Sequence, residues 1–263
     1  MSEALETLVV TDVGLVRRNN EDAVSALPEQ GLMLLADGMG GYNAGEVASN
    51  MAVVVLARKL GQVDFSLLTP EAALEATLEQ VRETNRIIYQ AGLDHLNYVG
   101  MGTTLVLGRF CGDKLHIVHL GDSRAYRFRN GTLERLTRDH SPVQDLIDAG
   151  LLTEDIARRS YGKHLVNRAL GIAPEVEPEG HIHTVQVGDL YLFCSDGLVD
   201  MVDDAEIARI LASPDARLFE MGERLLYQAN GNGGLDNISI ILTRVETLFP
   251  VESQMNRTSF PPG

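Results

Sequence analysis

Between Thr103 and Leu136 four apolar, strand-like runs follow one another, Thr103–Phe110, Leu115–Leu120, Ala125–Arg129 and Leu133–Leu136, with no helical periodicity between them. Five further runs, Thr7–Thr11, Leu32–Ala36, Ile182–Val187, Leu190–Cys194 and Asn237–Val245, bring the expectation to about nine strands. Helical spacing is confined to blocks: Gly45–Leu60, Pro70–Ala91, Pro142–Ala149, Asp204–Leu211 and Asp215–Asn230. Strands in runs and helices in blocks do not suit a doubly wound parallel sheet, which needs strict alternation. They fit an α+β chain in which antiparallel sheets carry helices on the outside. Within RAYRFRNGTLERL, Asn130 and Gly131 separate two alternating segments and are the residue types that a type I′ hairpin turn requires, because both must reach positive φ.

At 263 residues and 44% hydrophobic content the chain can bury a full core, and residues 1–248 are expected to form one domain. The segment 249–263, with Pro250, Pro261 and Pro262 and no periodicity, is expected to be a disordered tail. A net charge of -15 opposes a nucleic-acid partner or an acidic membrane surface and favours divalent cations and basic or neutral proteins. Two cysteines, Cys111 and Cys194, are too few for a disulfide framework and read as reduced packing residues. The N-terminal segment MSEALETLVV has no basic start and no window reaches the ~20 apolar residues of a membrane span, so a cytoplasmic protein without a membrane partner is expected.

Four acids stand at the mouths of apolar runs: Asp37 after LMLLA, Asp122 after LHIVHLG, Asp196 after LYLFCS and Asp236 before NISIILTRV. A single aspartate there is an ordinary turn or cap residue. Four carboxylates at the ends of neighbouring strands would repel one another unless cations sit among them, and hard oxygen ligands select Mg²⁺ or Mn²⁺. Gly38, lacking Cβ, would let a backbone carbonyl approach such an ion. In TDVGLVRRNNEDA, Arg17 and Arg18 precede Glu21 and Asp22. The cluster is either a solvated turn or, beside a metal centre, an arginine fork for phosphate.

The ordered set TDVGLVRRNNED, LLADGMGGYNAGEVAS, MGTTLV, HLGDSRAYRF, TRDHSPVQDLI, NRALG, CSDGLVD and GGLDNISIIL resembles, over nearly residues 8 to 245, the bacterial PPM-type (2C-type) metal-dependent serine/threonine protein phosphatases. The resemblance implies a four-layer α-β-β-α sandwich of two antiparallel sheets flanked by helices. It implies that Asp37 bridges two Mn²⁺ or Mg²⁺ ions, that Gly38 offers its carbonyl, and that Asp196 and Asp236 complete the first ion. Glu21 and Asp22 match the acids near the second ion, Asp122 with Asp196 a third, weaker site, and Arg17 the phosphate-binding arginine, with Arg18 facing solvent. The implied activity is hydrolysis of phosphoserine and phosphothreonine in proteins by a metal-bridging water or hydroxide. The implied partners are phosphorylated proteins, including a Ser/Thr kinase and its substrates, met by a monomer.

Two positions depart from the family pattern. Tyr42 and Met39 stand where relatives place histidine, which leaves the proton donor to the leaving group unassigned, with His140 as a candidate beside its reading as part of a helix-capping loop. Tyr42 is also what would support a non-catalytic, phosphoprotein-binding alternative. An aspartyl-phosphate mechanism of the haloacid-dehalogenase type fails, because Met39 occupies the place of its second aspartate. The histidines at 116, 119, 181 and 183 show no convincing zinc spacing, and Ser123 and Cys194 read as turn and core residues. Residues 137–171 match the family's flap, where Arg158, Arg159, Lys163 and Arg168 make a locally basic surface suited to selecting phosphoproteins.

Overall fold

The computed structural model describes residues 4–41, 44–153, 156, 165–213 and 216–249. The expected tail beyond 249, Tyr42, and the flap residues Arg158, Arg159 and Lys163 lie outside the described residues. The strands are β1 Leu5–Asp12, β2 Asp22–Leu27, β3 Leu32–Met39, β4 Gly102–Thr103, β5 Leu105–Cys111, β6 Lys114–Leu120, β7 Arg124–Arg129, β8 Thr132–Arg135, β9 Glu179–Thr184, β10 Leu190–Cys194 and β11 Ile238–Val245. The helices are α1 Ala44–Leu60, α2 Pro70–Asp94, α3 Pro142–Asp148, α4 Asp196–Val199, α5 Asp204–Leu211 and α6 Leu218–Gly231.

Every pairing between these strands is antiparallel, in two sheets ordered β1-β11-β10-β7-β8 and β2-β3-β5-β6-β9, with β4 on β3. Side-chain alternation explains the layering. Along β3, Leu32, Leu34 and Ala36 face a core shared with α1 and α2, while Met33 and Leu35 face the core between the sheets. Along β10, Leu190, Leu192 and Cys194 meet α5 and α6, while Tyr191 and Phe193 turn inward. A strand buried on both faces reads as an unbroken apolar run, which is why these segments stand out in the sequence. The result is the four-layer sandwich, two antiparallel sheets between two helical layers.

Local chemistry fixes the boundaries. Asn130 at φ 51° and Gly131 at φ 78° turn β7 into β8, pairing Arg129 with Thr132 as the hairpin reading required. Thr69 caps α2 by accepting from the Ala72 amide at 3.3 Å, with Pro70 in the first turn. Three expectations are corrected. The last strand before β10 runs over Glu179–Thr184 rather than Ile182–Val187, because the Gln186 amide is drawn into a turn by Asp189 at 2.8 Å. Helix α6 starts at Leu218, with Arg217 in extended backbone as its cap, rather than at Asp215. Strands β2 and β4 and the single turn of α4 were not expected.

The topology places the acids. Asp37 lies in β3 two residues before its end, Asp122 follows β6, Asp196 follows β10 and Asp236 precedes β11, which is antiparallel to β10. Two acids therefore come from each sheet, and both pairs meet at one edge of the sandwich.

Candidate functional site

A cleft of about 210 Å³ at this edge is lined by Arg17, Glu21, Asp37, Gly38, Met39, Gly40, Thr104, Asp122, Val166, Asp196, Asp236 and Asn237. Asp37 is tied down through its backbone: its amide donates to Thr104 Oγ1 at 3.0 Å, and its carbonyl accepts from the Thr104 amide at 2.8 Å and from Thr103 Oγ1 at 2.9 Å. Its carboxylate is thereby held in the cleft without spending a side-chain hydrogen bond on its own position. Gly38 follows, and a Cβ there would lie inside van der Waals contact of the Gly45 carbonyl and 2.6 Å from the Glu21 carbonyl. Gly45 is the reciprocal case, with a Cβ 2.8 Å from the Gly38 carbonyl carbon. The two glycines let the start of α1 sit directly on the end of β3.

The loop carrying Arg17 is latched by Asn237. Its Nδ2 donates to the carbonyls of Val13 at 3.0 Å and Asn19 at 2.9 Å, and its Oδ1 accepts from the Glu21 amide at 2.8 Å. Arg17 Nη2 bonds Asp236 Oδ2 at 2.7 Å, while the arginine side chain stays 51% exposed, so the remaining guanidinium donors are open to a ligand. Arg18 is exposed, as expected. Asp122 is backed by Ser123, whose hydroxyl lies 2.7 Å from that of Thr104, and by Arg124, which holds Asp139 through both carboxylate oxygens at 3.0 and 2.6 Å. Arg124 also donates to the Tyr126 hydroxyl at 3.1 Å, which passes its own proton toward Asp204 Oδ1 at 3.1 Å. A chain of buried polar contacts thus anchors the Asp122 turn to α5.

Asp22 does not line the cleft. It pairs with Asp37 in the β2–β3 register, is 8% exposed, and accepts the Ser195 hydroxyl at 2.9 Å, with its Oδ1 buried and without a hydrogen-bond partner. Burial pushes its pKa up to about 7, against the hydrogen bonds of Ser239 and Ser195 and with the repulsion of Asp196 and Asp236. Asp37 is raised well above the ordinary carboxylate range by burial and then by repulsion from Asp22, Asp196, Asp122 and Asp236. Asp122 is raised by burial and then by Asp196 and Asp139. Burial and mutual repulsion raise Asp22, Asp37 and Asp122 together, a bare carboxylate oxygen of Asp22 lies buried behind the cleft, and the acids that line it offer only oxygen donors, a combination that fits hard divalent cations.

This electrostatics has a sign that can be measured. An acid whose folded pKa is raised costs stability as pH climbs from its unfolded value, ~3.9, to its folded value. For Asp22 the window is therefore roughly pH 4 to about 7. In chelator-treated protein the melting-temperature advantage of Asp22→Asn over wild type is expected to grow across that window and stay flat above it. The difference between the two proteins cancels the opposite slope from buried neutral histidines such as His116 and His119, held at about 4 by burial. An advantage constant from pH 4 to 8 contradicts the assignment.

The structure thus brings Arg17, Glu21, Asp37, Gly38, Asp122, Asp196 and Asp236 to one cleft and sets Asp22 outside its lining. His140 is not in it. Its ring is 1% exposed, between the Gly121 amide and Glu179, and the neighbouring Ser141 caps α3 by accepting from the Gln144 amide at 3.1 Å. Cys194 is fully buried core. Asn237, Thr104 and Ser195 were missed, although Asn237 directly follows a singled-out acid.

Residues 16–224 match the family model described as Protein phosphatase 2C. The chain is 37% identical over 235 residues to Serine/threonine phosphatase stp of Listeria welshimeri, covering 88% of this chain and 92% of that one. It is 38% identical over 244 residues to Serine/threonine protein phosphatase PstP of Mycobacterium tuberculosis, covering 89% of this chain but 44% of that longer protein. The solved catalytic domain of PstP in complex with two manganese ions superposes with a TM-score of 0.81 at 38% identity, covering 91% of this chain and 97% of that one.

Proposed function

The chain belongs to the protein phosphatase 2C family, and on that premise we propose that its cleft hydrolyses phosphoserine and phosphothreonine in proteins with the help of two divalent ions held by Asp37, Gly38, Asp196 and Asp236. The convergence of these acids with Arg17 in one cleft of about 210 Å³ carries the reading. Glu21 adds charge at the second ion from the wall of the cleft, and Asp22 does so from behind it, through its coupling to Asp37. Asp122 and Asp196 would share a third, weaker ion. The related catalytic domain solved with two manganese ions supports Mn²⁺ as the occupant, and the oxygen donors accept Mg²⁺ as well.

When bound, such ions polarise phosphoryl oxygens and lower the pKa of an attacking water. The chain's own residues do the rest. Arg17 orients the phosphoryl group with the donors that Asp236 leaves open, and the Asp236 contact fixes the plane of its guanidinium. Thr104 and Thr103 keep Asp37 from moving as charge builds up. Among the described residues no imidazole lines the cleft, and Met39 contributes no proton. The partners are phosphorylated proteins. Within that class we place a bacterial-type Ser/Thr kinase and its substrates in a cytoplasmic setting, a reading supported by the bacterial relatives named as serine/threonine phosphatases. No helix among the described residues is long and apolar enough to cross a membrane. The non-catalytic alternative has only Tyr42 behind it, which lies outside the described residues.

Arg17→Lys tests the phosphate-orienting role. Lysine keeps the charge but loses the planar fork, so kcat/KM on a phosphothreonine peptide is expected to fall roughly 10- to 100-fold, with weaker inhibition by inorganic phosphate. Wild-type kinetics and unchanged phosphate inhibition in the lysine variant contradict it.

A further inference from the structure

His119 on β6, His140 before α3 and Glu179 at the start of β9 each offer a ligand atom within 4.8 Å of the others, from three separate stretches of chain. The two imidazoles are stacked, with centroids 4.7 Å apart and planes 16° from parallel. His119 is fully buried, and its Nε2 lies 2.9 Å from the Arg138 carbonyl, which can only accept. Nε2 therefore carries the proton and Nδ1 is a bare lone pair, buried and without a hydrogen-bond partner. A ring oriented by a carbonyl on one nitrogen and naked on the other is how metal-ligating histidines are held. His140 Nε2 lies 3.1 Å from Glu179 Oε2, and the other Glu179 oxygen lies 2.7 Å from Nε2 of the half-exposed His181.

We propose that His119, His140 and Glu179 form a binding site for a zinc-class divalent cation, separate from the aspartate cleft, with His181 or water as a fourth ligand. Two imidazoles and a carboxylate suit Zn²⁺, whereas the oxygen-only cleft suits Mg²⁺ or Mn²⁺. Tetrahedral ligation at ~2.0–2.1 Å per bond needs donors about 3.4 Å apart, so the site closes modestly from its present span. All three groups carry the charge that ligation requires, two neutral rings and an ionised carboxylate. Burial holds His119 near 4 and lowers His140 despite its bond to Glu179, so both rings are neutral at pH 7. Burial alone would raise Glu179, but hydrogen bonds from His181 and His140 outweigh it and leave the carboxylate at about 2.

Occupancy has a consequence beside the cleft. The Gly121 amide now donates to His140 Nδ1 at 3.3 Å, so the His140 proton resides on Nε2. Ligation through Nε2 moves that proton to Nδ1 and breaks the contact with Gly121, the residue before Asp122. The ion therefore removes one of the two contacts between His140 and Gly121, leaving the His140 amide on the Gly121 carbonyl at 2.9 Å.

The test uses the full chain with its aspartate cleft saturated with Mg²⁺, titrated with Co²⁺ as a spectroscopic stand-in for zinc and then with Zn²⁺ against a chromophoric chelator. One ion per chain is expected, giving the intense visible bands of four-coordinate Co²⁺, displaced by Zn²⁺. Glu179→Gln, at a partly exposed position, and His119→Gln are each expected to weaken binding at least tenfold. Asp196→Asn, which disables the cleft, leaves it unchanged, so failure here is distinct from failure of the phosphatase reading. Absence of the bands in wild type overturns the proposal. So does binding that survives in folded Glu179→Gln, or that disappears in Asp196→Asn.

Discussion

Asp37→Asn is expected to lower Mn²⁺-supported turnover of a phosphothreonine peptide by about 10³-fold or more and, in the absence of metal, to raise the melting temperature above that of wild type. The two effects share one cause. Asp37 is half-buried in the cleft wall among Asp22, Asp196, Asp122 and Asp236, and its pKa is raised well above the ordinary range. Near pH 7 the metal-free wild type must either ionise this group against its neighbours or bind a proton that the unfolded chain does not, and both cost stability. Asparagine removes the charge, keeps the shape and leaves the backbone bonds to Thr103 and Thr104 intact. A gain on the order of 1–2 kcal/mol, or roughly 2–8 °C, is the expected scale. With Mn²⁺ at a hundred times its Kd the order reverses, because the wild type gains about 2.7 kcal/mol of linkage that the variant does not share. A variant that melts lower than wild type in chelator contradicts this electrostatic reading of the cleft.

Gly38→Ala is expected to be among the most destabilising single methyl additions in the chain, about 3 kcal/mol and several degrees of melting temperature, with activity lost in proportion to misfolding or misplacement of Asp37. The added Cβ meets backbone on two sides, the carbonyls of Gly45 and Glu21, rather than the flexible end of a side chain. Neither can yield without moving the start of α1 away from β3 or shifting the Glu21 carbonyl, which accepts both the Gly38 amide at 3.1 Å and the Ser49 hydroxyl at 2.6 Å. Thermal melts in chelator separate this packing role from a role at the metal. A stability loss that appears only with Mn²⁺ present would mean that the glycine serves the ion alone.

That contrast shows where the sequence was legible. The glycine after Asp37 suggested room for an ion, and the structure adds that its first neighbour is another glycine seven residues on, a packing relation that no local pattern announces. Buried strands such as β3 and β10 were readable because both faces are covered and the whole run is apolar. Strand β2 was hidden because it opens on Asp22 and continues through half-buried AVSAL, so the charge read as a loop when it is the register partner of Asp37. The four acids at strand ends were visible because a charge closing an apolar run is conspicuous. Asn237 was not, since its importance lies in bonds to Val13, Asn19 and Glu21, over two hundred residues away. The histidines were equally opaque: only the fold stacks His119 on His140 and brings Glu179 against them.

The most direct test of the metal-dependent phosphatase is phosphate release from a phosphothreonine peptide by metal-stripped protein before and after Mn²⁺ is restored, with Asp37→Asn alongside. The expected result is no turnover when stripped, recovery on addition of Mn²⁺, and no recovery in the variant. Turnover that persists in the stripped protein, or that Asp37→Asn retains, would contradict the assignment of the cleft.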